Sequence, residues 1–143
     1  MKKIFLLLSL LFMIPLNAQN FEVIKIIETF FEGFHAKNSV KIKSVCDDKI
    51  ILQSIKENIK GAKLTTALAH EFYKSISTIA NDVKFEEKFL SYSIQVDGTV
   101  AHVWTPYEFY INDKFSHKGV NAFTLFKEND LWKIIHIIDT RRK

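Results

Sequence analysis

Two hydrophobic rhythms follow one another along the chain. Val23, Ile26, Ile27, Phe30, Phe31 and Phe34 recur at steps of three and four, which lines them up on one stripe of a helix that Asn20 can cap. Ser39 can cap a second, short helix through Cys46, and the strand-like KIILQSI runs from Lys49 to Ile55. After the turn-like ENIKGAK, Leu68, Phe72, Ile76 and Ile79 return to helical spacing and predict a third helix over 65–77, with a hydroxyl as its cap. The period then changes to two. Val83, Phe85, Glu87 and Phe89 alternate in one phase and Leu90, Tyr92, Ile94 and Val96 in the other, a slip that predicts a bulge near Phe89 and a bent strand. Asp97-Gly98 and Asn112-Asp113 read as two-residue hairpin loops, and Glu128-Asn129-Asp130 marks the last turn before LWKIIHIID. Helices followed by a long-stranded antiparallel meander indicate an α+β fold, with N-terminal helices packed on one face of a curved, mainly antiparallel sheet.

The first residues follow a different rule. MKKIFLLLSLLFMIPLNAQ has a charged start at Lys2 and Lys3, an apolar run from Ile4 to Ile14 interrupted by Ser9, a helix-breaking Pro15 and a small Ala18 at a plausible cut. That is the layout of a secretory signal peptide, and the run is shorter than the roughly 20 residues of a membrane-spanning helix. The expected organisation is therefore a signal peptide over 1–18 and one domain over 19–143. The expected location is outside the cytoplasm, periplasmic or extracellular, without a stable membrane anchor. A chain of that size buries roughly two-thirds of its unfolded surface around one core.

Composition narrows the partners. The formal net charge is +4, and the two lysines of the leader contribute to it, so the remainder is too weakly basic to argue for nucleic acid or acidic lipid. Cys46 is the single cysteine, so no internal disulfide forms, and its place beside Val45 in a helical pattern suits a small buried apolar residue.

The order of helix, helix, strand, helix and three long hairpin-linked strands ending in WKIIHIID resembles the nuclear transport factor 2-like, or cystatin-like, superfamily. Within it, TPYEFYINDKFSHKGVNAFTLFKENDLWKIIHIIDTRRK is similar to the exported lumazine-binding family. The resemblance implies a cone-shaped domain with a pocket between sheet and helices. Because the superfamily holds isomerases, polyketide cyclases, dehydratases and proteins that only bind or dimerise, it does not choose an activity.

If the Asp97-Gly98 and Asn112-Asp113 loops both have two residues, Trp104 lies opposite Asn121 and Glu108 opposite His117. A bulge at Pro106 would shift that register. Without one, His102, Trp104, Glu108 and Tyr110 share a face with Phe115, His117, Asn121 and Phe123, a mixture of aromatic walls and a few polar groups that suits a small-molecule pocket. Tyr92, Ala101, Val103, Thr105, Tyr107 and Phe109 then share the other face with Val120, Ala122 and Thr124. Either face could lie under the helices. A Glu and His side by side can share a proton, as a general base or as the anchor of a polar ligand. The same pair serves equally as a cross-strand ion pair on a solvated or dimer-facing surface.

Asp139 and Arg141 end the last strand. A three-residue loop at 128–130 sets Asp139 beside Gly119 and Arg141 beside His117, whereas a two-residue loop turns both to the opposite face. They suit a strand-end ion pair, or capture of a ligand carboxylate or phosphate by Arg141. His35 and His70 have no metal-ligand spacing, and HExxH, a glycine-rich phosphate loop and GxSxG are all missing from the sequence, so neither metal nor cofactor is implied. Trp132 reads as core. The leading functional expectation is an exported, non-catalytic domain binding a small planar ligand through Trp104, Glu108, Tyr110, His117, Asn121, Asp139 and Arg141. The alternatives are a cofactor-free isomerase, cyclase or dehydratase using Glu108 and His117 as an acid–base pair, and an interaction domain that forms a homodimer through its sheet.

Overall fold

The computed structural model describes residues 14–143, with side chains from Ala18 onward. The charged start and most of the apolar run of the expected leader lie outside the described residues. Helix α1 spans Ile14–His35 and α2 spans Ser39–Ser44. Strands β1 (Cys46–Asn58) and β2 (Gly61–Ala67) form a hairpin, followed by α3 (Ala69–Ser77), β3 (Phe85–Phe89), β4 (Ser93–Asp97), β5 (Val100–Ile111), β6 (Lys114–Glu128) and β7 (Leu131–Arg141). The sheet order is β2-β1-β7-β6-β5-β3, with β4 continuing the β3 edge along β5. Every pairing is antiparallel except β1 with β7, so the α+β architecture expected from the alternating pattern is the one observed. Among the described residues no helix is long and apolar enough to cross a membrane.

The greasy stripe of α1 is the centre of the core. Val23 and Ile27 are fully buried, and Phe30 and Phe31 nearly so, against Val103, Phe123, Leu125 and Ile134 of the sheet. Phe31 meets Phe89 edge-on at 4.4 Å and Phe34 meets Phe85 at 4.9 Å, so the helix is clasped by β3 as well as by the sheet centre. Each such ring contributes roughly 2–3 kcal/mol by area removed from water. Trp132 is buried, as its place in LWKII suggested. Cys46 is a buried free thiol, and burial pushes it up to about 11, with a hydrogen bond to Tyr73 opposing.

Several boundaries differ from the sequence reading, each for a local reason. Helix α1 already runs through Asn20, which therefore caps nothing. The cap of α2 is Asn38, whose side-chain Oδ1 accepts from the Lys41 backbone N–H at 3.0 Å. The segment from Glu57 to Ala67 is a hairpin instead of a turn and a helix start, because Asn58 pairs with Gly61 and Gln53 with Thr66. Thr65 thus belongs to β2, and α3 starts only at Ala69.

The turns follow their residues. Asn112, Asp113, Asn129 and Asp130 all have positive φ, between 49° and 63°, the geometry that lets two-residue loops follow the twist of antiparallel strands. The first loop is shifted by one residue: Asp97 pairs with Val100, leaving Gly98 and Thr99 at the turn, with Gly98 at φ 56°. The expected slip near Phe89 is present as a break between β3 and β4, where the register steps from Phe89 opposite Tyr107 to Ser93 opposite Trp104. Pro106 faces that break. Its carbonyl accepts from Leu90, so its missing N–H points the same way and β6 loses no donor.

Two further irregularities decide which residues face the helices. Phe109 pairs with His117 and Tyr110 with Phe115, leaving Ser116 as an extra residue in β6. Thr124 pairs with His136 and Leu125 with Ile134, leaving Ile135 as an extra residue in β7. Each bulge reverses the side-chain phase of its strand and bends it. Past them, Gly119 lies so close to β7 that a Cβ there would sit 1.8 Å from the Thr140 carbonyl oxygen, and only glycine fits.

Candidate functional site

Between the sheet and the helices lies a cavity of about 190 Å³. Its apolar wall comes from Phe30, Phe31 and Phe34 of α1, Phe72 of α3 and Phe109 of β5. Its polar groups are Glu87, Tyr107, His117, Asn121, Asp139 and Arg141, with Ser54 and Thr65 on the β1–β2 side. This is a concave apolar space with a few convergent polar groups, the form of most small-molecule sites.

Strand β3 brings Glu87 inward with Phe85 and Phe89, opposite Phe109. One carboxyl oxygen accepts from Asn121 Nδ2 at 2.5 Å. Burial pushes the Glu87 carboxyl up to about 7, against the Asn121 hydrogen bond that lowers it, and the negative charge of Asp139 adds to the rise. Near neutral pH the group is therefore divided between acid and carboxylate. Its backbone N–H donates to His35 Nε2 at 3.0 Å, which fixes the imidazole as the Nδ1-protonated tautomer. Burial also lowers the His35 pKa, in keeping with an uncharged ring against Phe31, Phe34 and Phe85.

Asp139, opposite Asn121 on β7, is committed to its neighbours. It accepts from Arg141 Nε at 2.6 Å and Nη2 at 3.3 Å, and from Ser54 Oγ at 3.2 Å. The Tyr107 hydroxyl donates to the Thr140 carbonyl at 2.8 Å, with Asp139 Oδ2 at 3.5 Å. Tyr107 sits directly across from Gly119, whose bare backbone leaves room for that ring to reach β7. Burial and the charges of Asp139 and Glu87 raise the Tyr107 pKa, so the hydroxyl remains a donor. His117 lies over Phe109, centroids 4.9 Å apart, and its Nδ1 is 3.1 Å from Ser116 Oγ. Its pKa is lowered by burial and then by the Arg141 charge, so the ring is neutral at pH 7.

The expected wall of Trp104, Glu108, Tyr110, His117 and Asn121 does not form. The Ser116 bulge makes Trp104 pair with Ala122 and Glu108 with Lys118, and the sheet separates both from His117 and Asn121. Trp104 is 54 % exposed on the outer face. Glu108 accepts from the Tyr110 hydroxyl at 2.7 Å on that same face, and Lys88 lies over the Tyr110 ring at 4.6 Å. Glu108 and His117 are not an acid–base pair. The partners of Ala101, Val103, Thr105, Tyr107 and Phe109 on the inner face are Leu125, Phe123, Asn121, Gly119 and His117, in place of Val120, Ala122 and Thr124. The last loop has two residues, yet Asp139 and Arg141 still face inward, because the Ile135 bulge restores the phase that the short loop removed.

Sequence reasoning singled out His117, Asn121, Asp139 and Arg141, which the bulges bring to one cavity. It missed Glu87 and Tyr107. The available signal for Glu87 was a carboxylate at an apolar position of an alternating strand, between Phe85 and Phe89.

Known structures share this architecture. A protein of unknown function from Shewanella baltica, described as nuclear transport factor 2-like, is 12% identical with TM-score 0.65 over 88% of this chain and 95% of its own. A similarly described protein from Cytophaga hutchinsonii is 11% identical with TM-score 0.70, over 87% and 98%. A Streptomyces avermitilis protein named "putative dehydratase" of the same family is 12% identical with TM-score 0.67, over 89% and 98%. The described residues thus have the nuclear transport factor 2-like, or cystatin-like, fold. No family model and no curated protein matches the chain, and the narrower likeness to the lumazine-binding family finds no support among these comparisons.

The raised Glu87 pKa sets a pH dependence. Unfolded, the carboxyl titrates at its ordinary 4.5, while folded it keeps its proton to about 7. Between those values the unfolded state releases a proton that the folded state retains, so this group lowers stability as pH rises. Glu87→Gln keeps an acceptor for Asn121 and does not titrate. Its stability relative to the unsubstituted protein should climb by about 1–3 kcal/mol from pH 4.5 to pH 7 and level off above. Urea denaturation across that range measures it, and a difference independent of pH would show that Glu87 titrates normally.

Proposed function

We infer that the protein binds a small, planar molecule in the inner cavity, oriented by Glu87, Asn121 and His117. The carrying observation is the Glu87 carboxyl, facing a phenylalanine-lined space with Asn121 as its hydrogen-bonded side-chain neighbour. Pteridines such as lumazine belong to the ligand class this reading admits, as do naphthols, flavins and steroids. Thermal shift with such a panel tests it: a fitting compound raises the melting temperature by mass action, and Phe109→Ala and Asn121→Ala weaken binding about tenfold through lost stacking and a lost hydrogen bond. Trp104→Ala leaves binding unchanged. A panel without any binder, or equal losses from Trp104→Ala, refutes the cavity as the site.

The titration of Glu87 near 7 favours a second reading, cofactor-free proton transfer. In it the Glu87 carboxylate takes a proton from a substrate carbon, then returns it to another carbon in an isomerisation or to a departing hydroxyl, which leaves as water, in a dehydration. Asn121 and Tyr107 steady the charges nearby. Under this reading Glu87→Gln lowers turnover by about 10²-fold or more while a product-like ligand binds within a few-fold of its normal affinity. Equal loss of both leaves only binding.

The outer sheet face is assigned to a second copy of the chain. Trp104, Phe115 and Phe126 are 54 %, 49 % and 41 % exposed there, and the helices cover only the opposite face. Sedimentation equilibrium near neutral pH should give a dimer at tens of micromolar that Trp104→Glu converts to monomer, whereas a monomeric unsubstituted protein excludes this assembly.

Export after removal of residues 1–18 completes the reading, on the layout of the leader. Mass spectrometry of protein from the native host should find a terminus near Gln19, and an accumulated soluble form beginning at Met1 contradicts it.

A further inference from the structure

The inner cavity does not end at the sheet. His117 and Arg141 line it and also line a wider open groove of about 900 Å³, so the two spaces meet at these side chains. One bank of the groove is the end of β1 with Lys56, Glu57 and Asn58, and the other is Ser116 with Arg142 and Lys143. The charges along it are unbalanced. Arg141 is answered by Asp139 at 2.6 Å and Arg142 by Glu57 at 3.3 Å, while Lys56 and Lys143 have no ion-pair partner among the described residues. Lys56 is moreover the register partner of Arg141 in the parallel β1–β7 pair, which sets two cations side by side on one face at the mouth of an apolar cavity. Arg141 directs Nε and Nη2 to Asp139, which leaves Nη1 for another acceptor. Positive charge gathered at a low-dielectric opening raises the local concentration of anions, and a guanidinium beside an ammonium suits a carboxylate or phosphate. So few unpaired cations fall short of a nucleic-acid track, which needs many phosphate contacts.

We propose that the ligand of the inner cavity is amphiphilic, with a planar apolar head against Phe109 and an anionic tail that leaves past His117 and ends between Lys56 and Arg141. This rests on the inner cavity as the binding site and narrows its ligand class to planar carboxylates or phosphate esters with a short linker. Neutral planar compounds then bind through the head alone. Tailed ones gain an increment that depends on Lys56 and on salt, because the groove is open to water and its ion pairs are screened.

The experiment is calorimetric titration of the unsubstituted protein and of Lys56→Glu with three probes: 2-naphthol, 4-(2-naphthyloxy)butanoate and 4-(2-naphthyloxy)butyl phosphate. Lys56 is exposed, so its substitution leaves the core intact. At low salt at least one tailed probe should bind about tenfold more tightly than 2-naphthol, an increment typical of one or two good charge contacts. That advantage should fall below about threefold in Lys56→Glu and at 0.5 M salt, with 2-naphthol unaffected by either. The tighter of the two tails tells carboxylate from phosphate. Tails that add nothing to 2-naphthol affinity, or an advantage that survives Lys56→Glu, overturn the proposal while the cavity reading stands. Failure of all three probes to bind overturns both.

Discussion

A single extra residue in each of two adjacent strands determines what the inside of this protein contains. Ser116 in β6 and Ile135 in β7 each reverse the side-chain phase of the strand beyond them. With the phase reversed, His117, Asn121, Asp139 and Arg141 point toward α1. A bulged strand also bends, and the bend lets the sheet curve away from the helix stripe instead of collapsing on it. Remove either bulge and the period-two rule sends the cavity's polar groups on that strand to the outer face. The close approach of Gly119 to Thr140 belongs to the same arrangement, since it frees the space through which Tyr107 reaches the β7 backbone.

The cavity that results holds two carboxyl groups in different circumstances. Asp139 is surrounded by Arg141, Ser54 and the Tyr107 hydroxyl, so its charge is met on several sides. Glu87 has Asn121 and an apolar wall, and desolvation dominates. Desolvation of this kind lets the Glu87 carboxyl exchange a proton near neutral pH. The position of Glu87 is rigid for a separate reason: its own backbone N–H is held by His35, at the end of a helix anchored by Phe31 and Phe34. Packing of α1 and the chemistry of the cavity are thus linked through one hydrogen bond.

The two faces of the sheet follow different physics. Inside, aromatic edges and faces meet at 4.4–6.4 Å, an apolar setting that makes an unpaired polar group costly. Outside, Trp104, Glu108, Tyr110 and Lys88 lie on the face that the helices leave open. Similar residue types on the two faces of β5 therefore have unlike chemical potential. A sequence pattern that mixes aromatic, acidic and amide residues does not tell the two apart.

Local rules were enough for the elements that depend on near neighbours. The stripe from Val23 to Phe34 determined a helix, the phase change at Phe89 an irregularity in the strand pattern, Asn112-Asp113 a tight turn and the stretch from Glu128 to Asp130 a turn of open length, because helix periodicity and left-handed turn residues act over a few positions. The nature of Trp132 and the α+β class followed from the same patterns. Registry across strands did not, since a bulge such as Ser116 has no side-chain signature and shows itself only in which partner the strand meets. One such residue moved Trp104 and Glu108 to one side and His117 and Asn121 to the other. Glu87 was visible as a carboxylate in an apolar alternation, but its meaning came from α1 closing over it and from Asn121, 34 residues away, donating to it. Sequence decided which groups the chain carries and where it turns. The curvature of the sheet, through its bulges and its packing on α1, decided which of those groups share one cavity.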